Sequence, residues 1–324
     1  MKYTFLLPAY KGKYLPEMLR SIAAQTYTDF KVIISDDCSP EDLMSICKPF
    51  LADPRFTYRR NETNMGATSL VSHWNLLLSL CDTEFCVMAS DDDVYEPTFL
   101  EEIDILTNKY LEVDLFRGRA NRIVETRKAT YEESSVLEYR TELEFVRDLF
   151  SDSYVSCISN YVYRTSTLEM RGGFIDFPKA WFADDATNVK MSAKGCCSTA
   201  DIVFNFRMSG LNISSQWGDP KDCSEKIKAT YAFYSWMRQW MNHHVDSDPD
   251  LLKLVEDRFE AKCNSNVVNN IFSCPFIPFV KFLWKCPKDI GYFRPRMIVH
   301  WMRSRCKYST IFNQKSKYEY STML

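Results

Sequence analysis

Short hydrophobic runs alternate with segments of helical periodicity over the first third of the chain. The runs 3–7, 30–34 and 85–89 are apolar and are bounded by turn residues, a pattern typical of buried strands. Between them, segments such as 15–24 place apolar residues three and four positions apart, as the buried face of a helix requires. This order predicts an α/β fold with a doubly wound, mostly parallel sheet and helices on both faces.

Local signals predict further elements along the chain. Ser39, followed by Pro40, indicates a helix start with Ser39 or Asp37 as its N-cap. Helices are also predicted over 68–80, 97–110, 181–193 and 226–259, a strand over 154–164, and a turn at Gly172-Gly173. The middle third of the chain is the least regular, and the C-terminal third is predicted to be mostly helical.

Acidic side chains stand at the ends of two predicted strands. Asp36-Asp37 follows the second strand and Asp91-Asp92-Asp93 follows the fourth. Ligands of such sheets bind outside the carboxyl ends of the strands, so the sequence predicts a site there. Three adjacent carboxylates repel one another unless a cation relieves them, and hard oxygen ligands suit Mg²⁺ or Mn²⁺. The alternative at 91–93 is a solvated acidic turn, and the alternative at 36–37 is a helix cap. If one acid of the pair 36–37 caps the helix, the other is still available to accept a hydrogen bond from the imide N–H of a base such as uracil.

Composition narrows the classes of function. The formal net charge is −3, so the chain lacks the positive field that collects phosphates, and no nucleic-acid partner is expected. The cysteines are scattered and form no C-x-x-C pair. With no signal-peptide core and no apolar run of ~20 residues in the sequence, a cytoplasmic protein is expected.

Several short motifs stand in a fixed order over about residues 1–215. They are Pro8-Ala9-Tyr10, 21–27, Asp36-Asp37-Cys38-Ser39, Asn64-Met65-Gly66, Trp74-Asn75, 89–97, Gly172-Gly173-Phe174, Asp184-Asp185 and Phe206-Arg207. Taken together and in this order, they closely resemble the motifs of family 2 glycosyltransferases with the GT-A fold, and the joint pattern is specific although no single motif is. The resemblance implies an inverting enzyme of the hexosyltransferase type that moves a sugar from a nucleoside-diphosphate sugar, UDP-linked by expectation, to a hydroxyl of a glycan or lipid-linked saccharide.

The resemblance also implies a nucleotide site. Pro8 and Tyr10 would line it, with the Tyr10 ring stacked on the base. Asp36 would accept a hydrogen bond from the base, and Asp91 would lie near the ribose.

The metal and acceptor sites follow from the same resemblance. Asp92 would bind a divalent ion, Mn²⁺ or Mg²⁺, and Asp93 would support that ion or face the sugar. Asp185 is expected to be the general base, in preference to Asp184. Arg207 would reach the diphosphate or the acceptor, and Asp184 is a second candidate for such a contact. Without the resemblance, a helix N-terminus is the better explanation of the acid pair. A surface salt bridge explains Arg207 nearly as well as a ligand contact does.

Three positions depart from the usual pattern of the family. Lys11 stands where the family usually has Asn, Cys38 where it has Gly, and Trp74 where it often has Arg. Because of these differences, the resemblance predicts the contacts to the donor less closely than it predicts the fold.

The sequence divides into a GT-A domain over 1–215 and a helical C-terminal region over 216–324. Residues 281–317 contain ten Lys or Arg and a single acid, interleaved with aromatic residues. Such a tail either lies on the inner face of a membrane or packs its aromatic residues on the catalytic domain. Rival functions are a sugar- or membrane-binding scaffold on the same fold and a sugar nucleotidyltransferase, which would need a Gly-rich phosphate loop after the first strand.

Overall fold

The computed structural model describes residues 1–125, 128–151, 154–210, 220–244 and 247–272. Its strands are β1 Tyr3–Ala9, β2 Phe30–Asp36, β3 Phe56–Arg60, β4 Phe85–Met88, β5 Val94–Tyr95, β6 Leu115–Val124, β7 Ala129–Glu132, β8 Tyr139–Arg140, β9 Tyr161–Arg164 and β10 Cys196–Met208. Its helices are α1 Leu15–Ala23, α2 Leu43–Cys47, α3 Leu70–Leu78, α4 Phe99–Lys109, α5 Glu142–Leu149, α6 Thr165–Met170, α7 Ala183–Met191, α8 Pro220–Asn242 and α9 Pro249–Phe272.

One mixed sheet runs through the described chain in the order β3-β2-β1-β4-β9-β6-β10-β5. Strands β1 to β4 are parallel to one another, β9 is antiparallel between β4 and β6, and β10 is parallel to β6. Since β1 lies between β2 and β4, the loops after these three strands emerge side by side. The predicted acidic clusters therefore flank the end of β1.

Apolar side chains cover both faces of the sheet, which confirms the predicted layers. Successive residues of β1 alternate between them: Phe5 and Leu7 join the cluster formed with α1 and α4, and Leu6 joins the cluster formed with α3, α5 and α7. Such alternation is what a strand with two covered faces requires. The second cluster also includes apolar residues of α8 and α9, so the C-terminal helices share a core with the sheet.

Several predicted boundaries were wrong. Helix α2 begins later than expected and is capped by Asp42, whose side chain accepts the N–H of Ser45, rather than by Ser39 or Asp37. The strand predicted over 154–164 is confined to β9, because a 3₁₀ turn occupies Ile158–Asn160. The helix predicted over 226–259 is two helices, α8 and α9.

The membrane prediction concerns residues that the structure does not describe, because the basic tail from 281 to 317 lies outside the described ranges. Among the helices that are described, none is long and apolar enough to cross a bilayer.

Candidate active site

The loop after β4 carries three aspartates with different partners. Asp91 Oδ2 accepts the backbone N–H groups of Tyr10, at 3.0 Å, and Lys11, at 2.8 Å, so it joins this loop to the end of β1. Asp92 accepts hydroxyl hydrogen bonds from Ser90, at 2.6 Å, and from Ser209, at 3.2 Å. The loop is thus fixed by the segment after β1 and by the segment after β10.

Burial makes the negative charge of this loop costly. Burial, together with the charge of the adjacent Asp92, raises the pKa of Asp91 to about 6 and that of Asp93 to about 7. A divalent cation would relieve this repulsion. In the described part of the chain no group of three or more His, Cys, Asp or Glu side chains forms a metal site by itself. The carboxylate oxygens do fit Mg²⁺ or Mn²⁺, which commonly take one or two carboxylates plus substrate phosphates.

Asp36, at the end of β2, is completely buried and has several donors around it. Its Oδ1 accepts the N–H of Ser39 at 2.8 Å, and its Oδ2 accepts the hydroxyl of Tyr58 at 2.6 Å and the guanidinium of Arg60. The neighbouring Tyr10 is 38% exposed, so its ring is available for stacking. The structure places these two predicted nucleotide contacts side by side, and Asp36 is held by protein donors.

Asp37 organises the next loop, a role that the sequence did not indicate. Its carboxylate accepts the N–H groups of Met65, at 2.9 Å, and Gly66, at 2.7 Å, and the side-chain amide of Asn61, at 2.8 Å. A Cβ on Gly66 would lie 3.0 Å from Asp37 Oδ2. The motif Asn64-Met65-Gly66 is therefore shaped around this carboxylate.

Cys38 has a left-handed backbone, with φ of 55°. This conformation costs a residue with a Cβ roughly 1–2 kcal/mol, and glycine adopts it freely. The conformation explains why the family usually has glycine at this position.

Arg207 is 7% exposed and is already surrounded by partners. Its Nε donates to the backbone oxygen of Asp92 at 2.8 Å, and its guanidinium pairs with Glu125 at 2.5 Å and Glu17 at 2.8 Å. Its backbone N–H donates to Asp93 Oδ1 at 2.9 Å. In this conformation Arg207 braces the acidic loop against α1 and the end of β6, and its contact with a ligand stays a prediction.

The Gly172-Gly173-Phe174 turn is clamped by Asn75 of α3. Asn75 accepts the N–H of Phe174 at 2.8 Å and donates to its carbonyl at 3.1 Å, so two motifs distant in sequence form one unit. Ile175 continues the contact by donating its N–H to Thr187 of α7 at 3.0 Å. Trp74 packs its ring on Phe174, with centroids 5.7 Å apart, and is a core residue. The clamp fixes α7 relative to α3.

Replacing Gly173 with alanine is expected to lower the free energy of unfolding by about 2 kcal/mol or more. Gly173 has φ of 75°, and a Cβ would lie 2.4 Å from Asn75 Oδ1. Gly172→Ala is the matched control, because Gly172 has φ of 84° and nothing lies within 4 Å of its Cβ position. Chemical denaturation should show a clearly smaller loss for Gly172→Ala, and equal losses would contradict the clamp.

Asp184 and Asp185 lie in the first turn of α7, and Asp184 accepts the N–H of Asp185 at 2.9 Å. Burial, and then the charge of Asp185, raise the pKa of Asp184 to about 7. Burial also raises the pKa of Asp185, whereas the ammonium group of Lys262 in α9 opposes the rise for both residues. A carboxylate with a raised pKa is a better base than an ordinary aspartate, as proton abstraction requires.

Cys157 connects the two acidic groups electrostatically. Its thiol is buried, and burial raises its pKa far above the ordinary value. The charges of Asp93 and of Asp184 both raise it further. The loop after β4 and the first turn of α7 therefore both lie close enough to Cys157 to affect the pKa of its thiol.

Comparison with known proteins starts from the N-terminal part of the chain, where residues 4–104 match the family model described as glycosyl transferase family 2. The chain is 29% identical over 105 residues to the poly(ribitol-phosphate) beta-N-acetylglucosaminyltransferase TarS of Staphylococcus aureus, which is 32% of this chain and 18% of TarS. It is 26% identical over 99 residues to the glycosyltransferase GlyG of Streptococcus pneumoniae, 30% of this chain and 32% of GlyG. The matched stretch thus spans less than half the length of these relatives.

Solved structures resemble nearly the whole chain. Residues 1–349 of S. aureus TarS in complex with UDP-GlcNAc superpose with a TM-score of 0.63 at 17% identity, covering 97% of this chain and 91% of that one. The mannosyltransferase PcManGT of Pyrobaculum calidifontis in complex with GDP-Man and Mn²⁺ superposes with a TM-score of 0.54 at 14% identity, and the match covers 97% of this chain and 88% of PcManGT. Residues 4–104 therefore match the family model of glycosyl transferase family 2, and the described chain shares the GT-A fold of these solved structures.

Proposed function

We propose that this chain is an inverting, metal-assisted glycosyltransferase. It transfers a sugar from a nucleoside diphosphate, UDP by preference, to a hydroxyl of a glycan or lipid-linked saccharide. What supports this proposal is the presence of two buried acidic groups, 91–93 after β4 and 184–185 in the first turn of α7, which both affect the pKa of the buried Cys157. The complexes of similar folds with UDP-GlcNAc and with GDP-Man and Mn²⁺ support a sugar-nucleotide donor.

The donor side of the site lies on β1, β2 and the loop after β4. The exposed ring of Tyr10, beside Pro8, would stack on the base. Asp36, which Ser39, Tyr58 and Arg60 hold in place, would accept a further hydrogen bond from the base. Asp91 holds the backbone of Tyr10 and Lys11 in place, and in our proposal it lies near the ribose.

The metal would be held by Asp92, with Asp93 in support. When bound, a divalent ion supplies Lewis-acid stabilisation of the negative charge on the departing diphosphate. Ser90 and Ser209 orient the carboxylate of Asp92, and Arg207 holds Asp93 through its backbone N–H. These contacts keep the ligand oxygens in place before the donor arrives.

The acceptor side is α7. The oxygen of the acceptor hydroxyl would attack the anomeric carbon as the bond from that carbon to the diphosphate breaks, and the hydroxyl proton would pass to the carboxylate of Asp185. Attack from the side opposite the leaving group inverts the anomeric centre. The charge of Asp185 raises the pKa of Asp184, and Asp184 accepts a hydrogen bond from the backbone N–H of Asp185.

A thermal-shift panel tests the donor proposal directly. UDP, GDP, dTDP and CMP are added to the purified chain, each with and without Mn²⁺, and release of UDP from UDP-GlcNAc is then measured with water as acceptor. Stabilisation by one nucleotide that depends on Mn²⁺ is the expected result, since a ligand that binds only the folded state raises Tm. Absence of any shift and of any release would favour the scaffold, and a requirement for a nucleoside triphosphate would favour the nucleotidyltransferase.

The pH dependence should reveal the acid pair. Because the pKa of Asp184 is about 7, the basic form of the pair accumulates as pH rises, and the rate of UDP release should rise through this range.

Replacing Lys262 with methionine removes the charge that lowers the pKa values of Asp184 and Asp185. The acidic limb of the pH–rate profile should therefore move to higher pH. Lys253→Met is the control, because Lys253 lies on the same helix, is exposed, and pairs with Glu256 and Asp257. An unchanged limb in Lys262→Met would contradict the assignment.

A further inference from the structure

The segment 179–182, which precedes the acid pair Asp184-Asp185, has an unusual backbone. Lys179, Ala180 and Phe182 have positive φ, at 62°, 54° and 64°, although none is glycine. This region of conformational space is unfavourable for residues with a Cβ, and such conformations persist only where the surrounding structure enforces them. Because Asp184 and Asp185 follow at once, the shape of this segment decides where their carboxylates lie.

Helix α8 supplies two polar contacts to the segment. Asp222 Oδ1 pairs with Lys179 Nζ at 2.9 Å. One turn further along the helix, Lys226 Nζ lies 4.8 Å from the centroid of the Trp181 ring, and Lys226 also pairs with Asp222 at 3.2 Å. Lys226 has no exposed surface, so this contact is part of the interior and not a passing surface interaction.

The apolar contact is made by Phe233 of α8, which touches Phe182 in the segment and Phe177 just before it. Its ring stacks on Phe182, with centroids 4.5 Å apart and an interplanar angle of 12°. It also meets the ring of Phe177 edge to face at 6.1 Å. Phe233 is completely buried and Phe182 is 6% exposed, so the stack is shielded from water.

We propose that α8 positions the general base: Phe233, anchored on Phe177 and Phe182, holds the strained segment in the conformation that presents Asp184 and Asp185 to the acceptor. The inference rests on the proposed function and extends it to a part of the chain far beyond residues 4–104. Phe233 is a positioning residue, because it acts through Phe182 and not by touching substrate. The donor side, on β1, β2 and the loop after β4, does not depend on this contact.

The test compares Phe233→Leu with Phe150→Leu. Phe150 lies in the same core, is 4% exposed, and its ring contacts Phe233 and Phe259 at 6.0 and 5.7 Å. Both changes remove a buried ring and should lower Tm. For UDP release from UDP-GlcNAc, measured well below Tm, Phe233→Leu should lower kcat about 10- to 100-fold, since small misplacement of a catalytic group has effects of this size. The donor KM should stay within about twofold, because binding of donor is not altered.

Glycine substitution provides a second readout that a merely structural role would not change. Glycine adopts positive φ freely, so Ala180→Gly in the Phe233→Leu background should restore part of the lost kcat. Phe150→Leu should keep kcat near the wild-type value. Equal loss of kcat in the two leucine variants, or a change in donor KM with kcat unchanged, would overturn the inference while leaving the proposed function intact. A wild-type chain that releases no UDP would instead remove the proposed function, and the inference with it.

Discussion

Asp185→Asn is expected to reduce the rate of UDP release by about 10²–10⁴-fold, the usual contribution of a general base. Asparagine has nearly the same shape as aspartate, so the first turn of α7 should keep its conformation, but its amide cannot take the proton of the attacking hydroxyl. Mn²⁺-dependent stabilisation by UDP should persist, because the proposed donor contacts lie on other elements. Measuring kcat together with the thermal shift separates these two effects.

Asp184→Asn is the matched control for this prediction. It removes one carboxylate from the same turn, and an asparagine oxygen can still accept the N–H of Asp185 that Asp184 now holds. We expect a smaller loss of rate. If Asp184→Asn abolished activity while Asp185→Asn retained it, the base would be Asp184 and the proposed assignment would be wrong.

Asp92→Asn is expected to lower kcat/KM on the order of 10³-fold, which corresponds to several kcal/mol of Lewis-acid stabilisation. The neutral amide still accepts a hydrogen bond from Ser90, but it weakens the site for a divalent ion. Titrating Mn²⁺ against the UDP-induced rise in Tm measures that loss directly.

The control for the metal prediction is Asp82→Asn. Asp82 has a side chain that is 77% exposed and pairs with Lys31, so its removal tests the loss of one negative charge away from the site. It should leave the Mn²⁺ dependence unchanged. A normal Mn²⁺ titration in Asp92→Asn would mean that the ion is held by other groups.

The parallel half of the sheet could be predicted from sequence because its strands are continuous apolar runs. Strand β6 could not, because the fully buried Arg117 interrupts its hydrophobic pattern. Arg117 pairs with the equally buried Glu133 at 2.7 Å and lies 4.1 Å from the ring of Tyr154. A charge inside a strand is acceptable only when it has such partners, and no local pattern reveals them. Strand β10 is obscured in another way, since its pairing with β6 shifts register between Ser198 and Phe204.

The candidate site, like the sheet, could be predicted from the sequence only in part. The acidic residues were located because strand ends and family motifs mark them. Their supports were not, since contacts such as Asn75 with Phe174, or Arg207 with Glu17 and Glu125, join residues far apart in the sequence. Such contacts appear only once the chain is folded.

The sheet order has a consequence for the design of shorter fragments. The stretch that matches the family model ends at residue 104, but β9, which covers the free side of β4, and β10, which pairs with β5, come later in the chain. A fragment cut there would expose β4, whose residues are all buried in the structure, as an open apolar edge. Unprotected edges recruit other strands and cause aggregation. A fragment intended to remain monomeric therefore has to extend at least through Met208, the end of β10, and not only through the residues that match the family model.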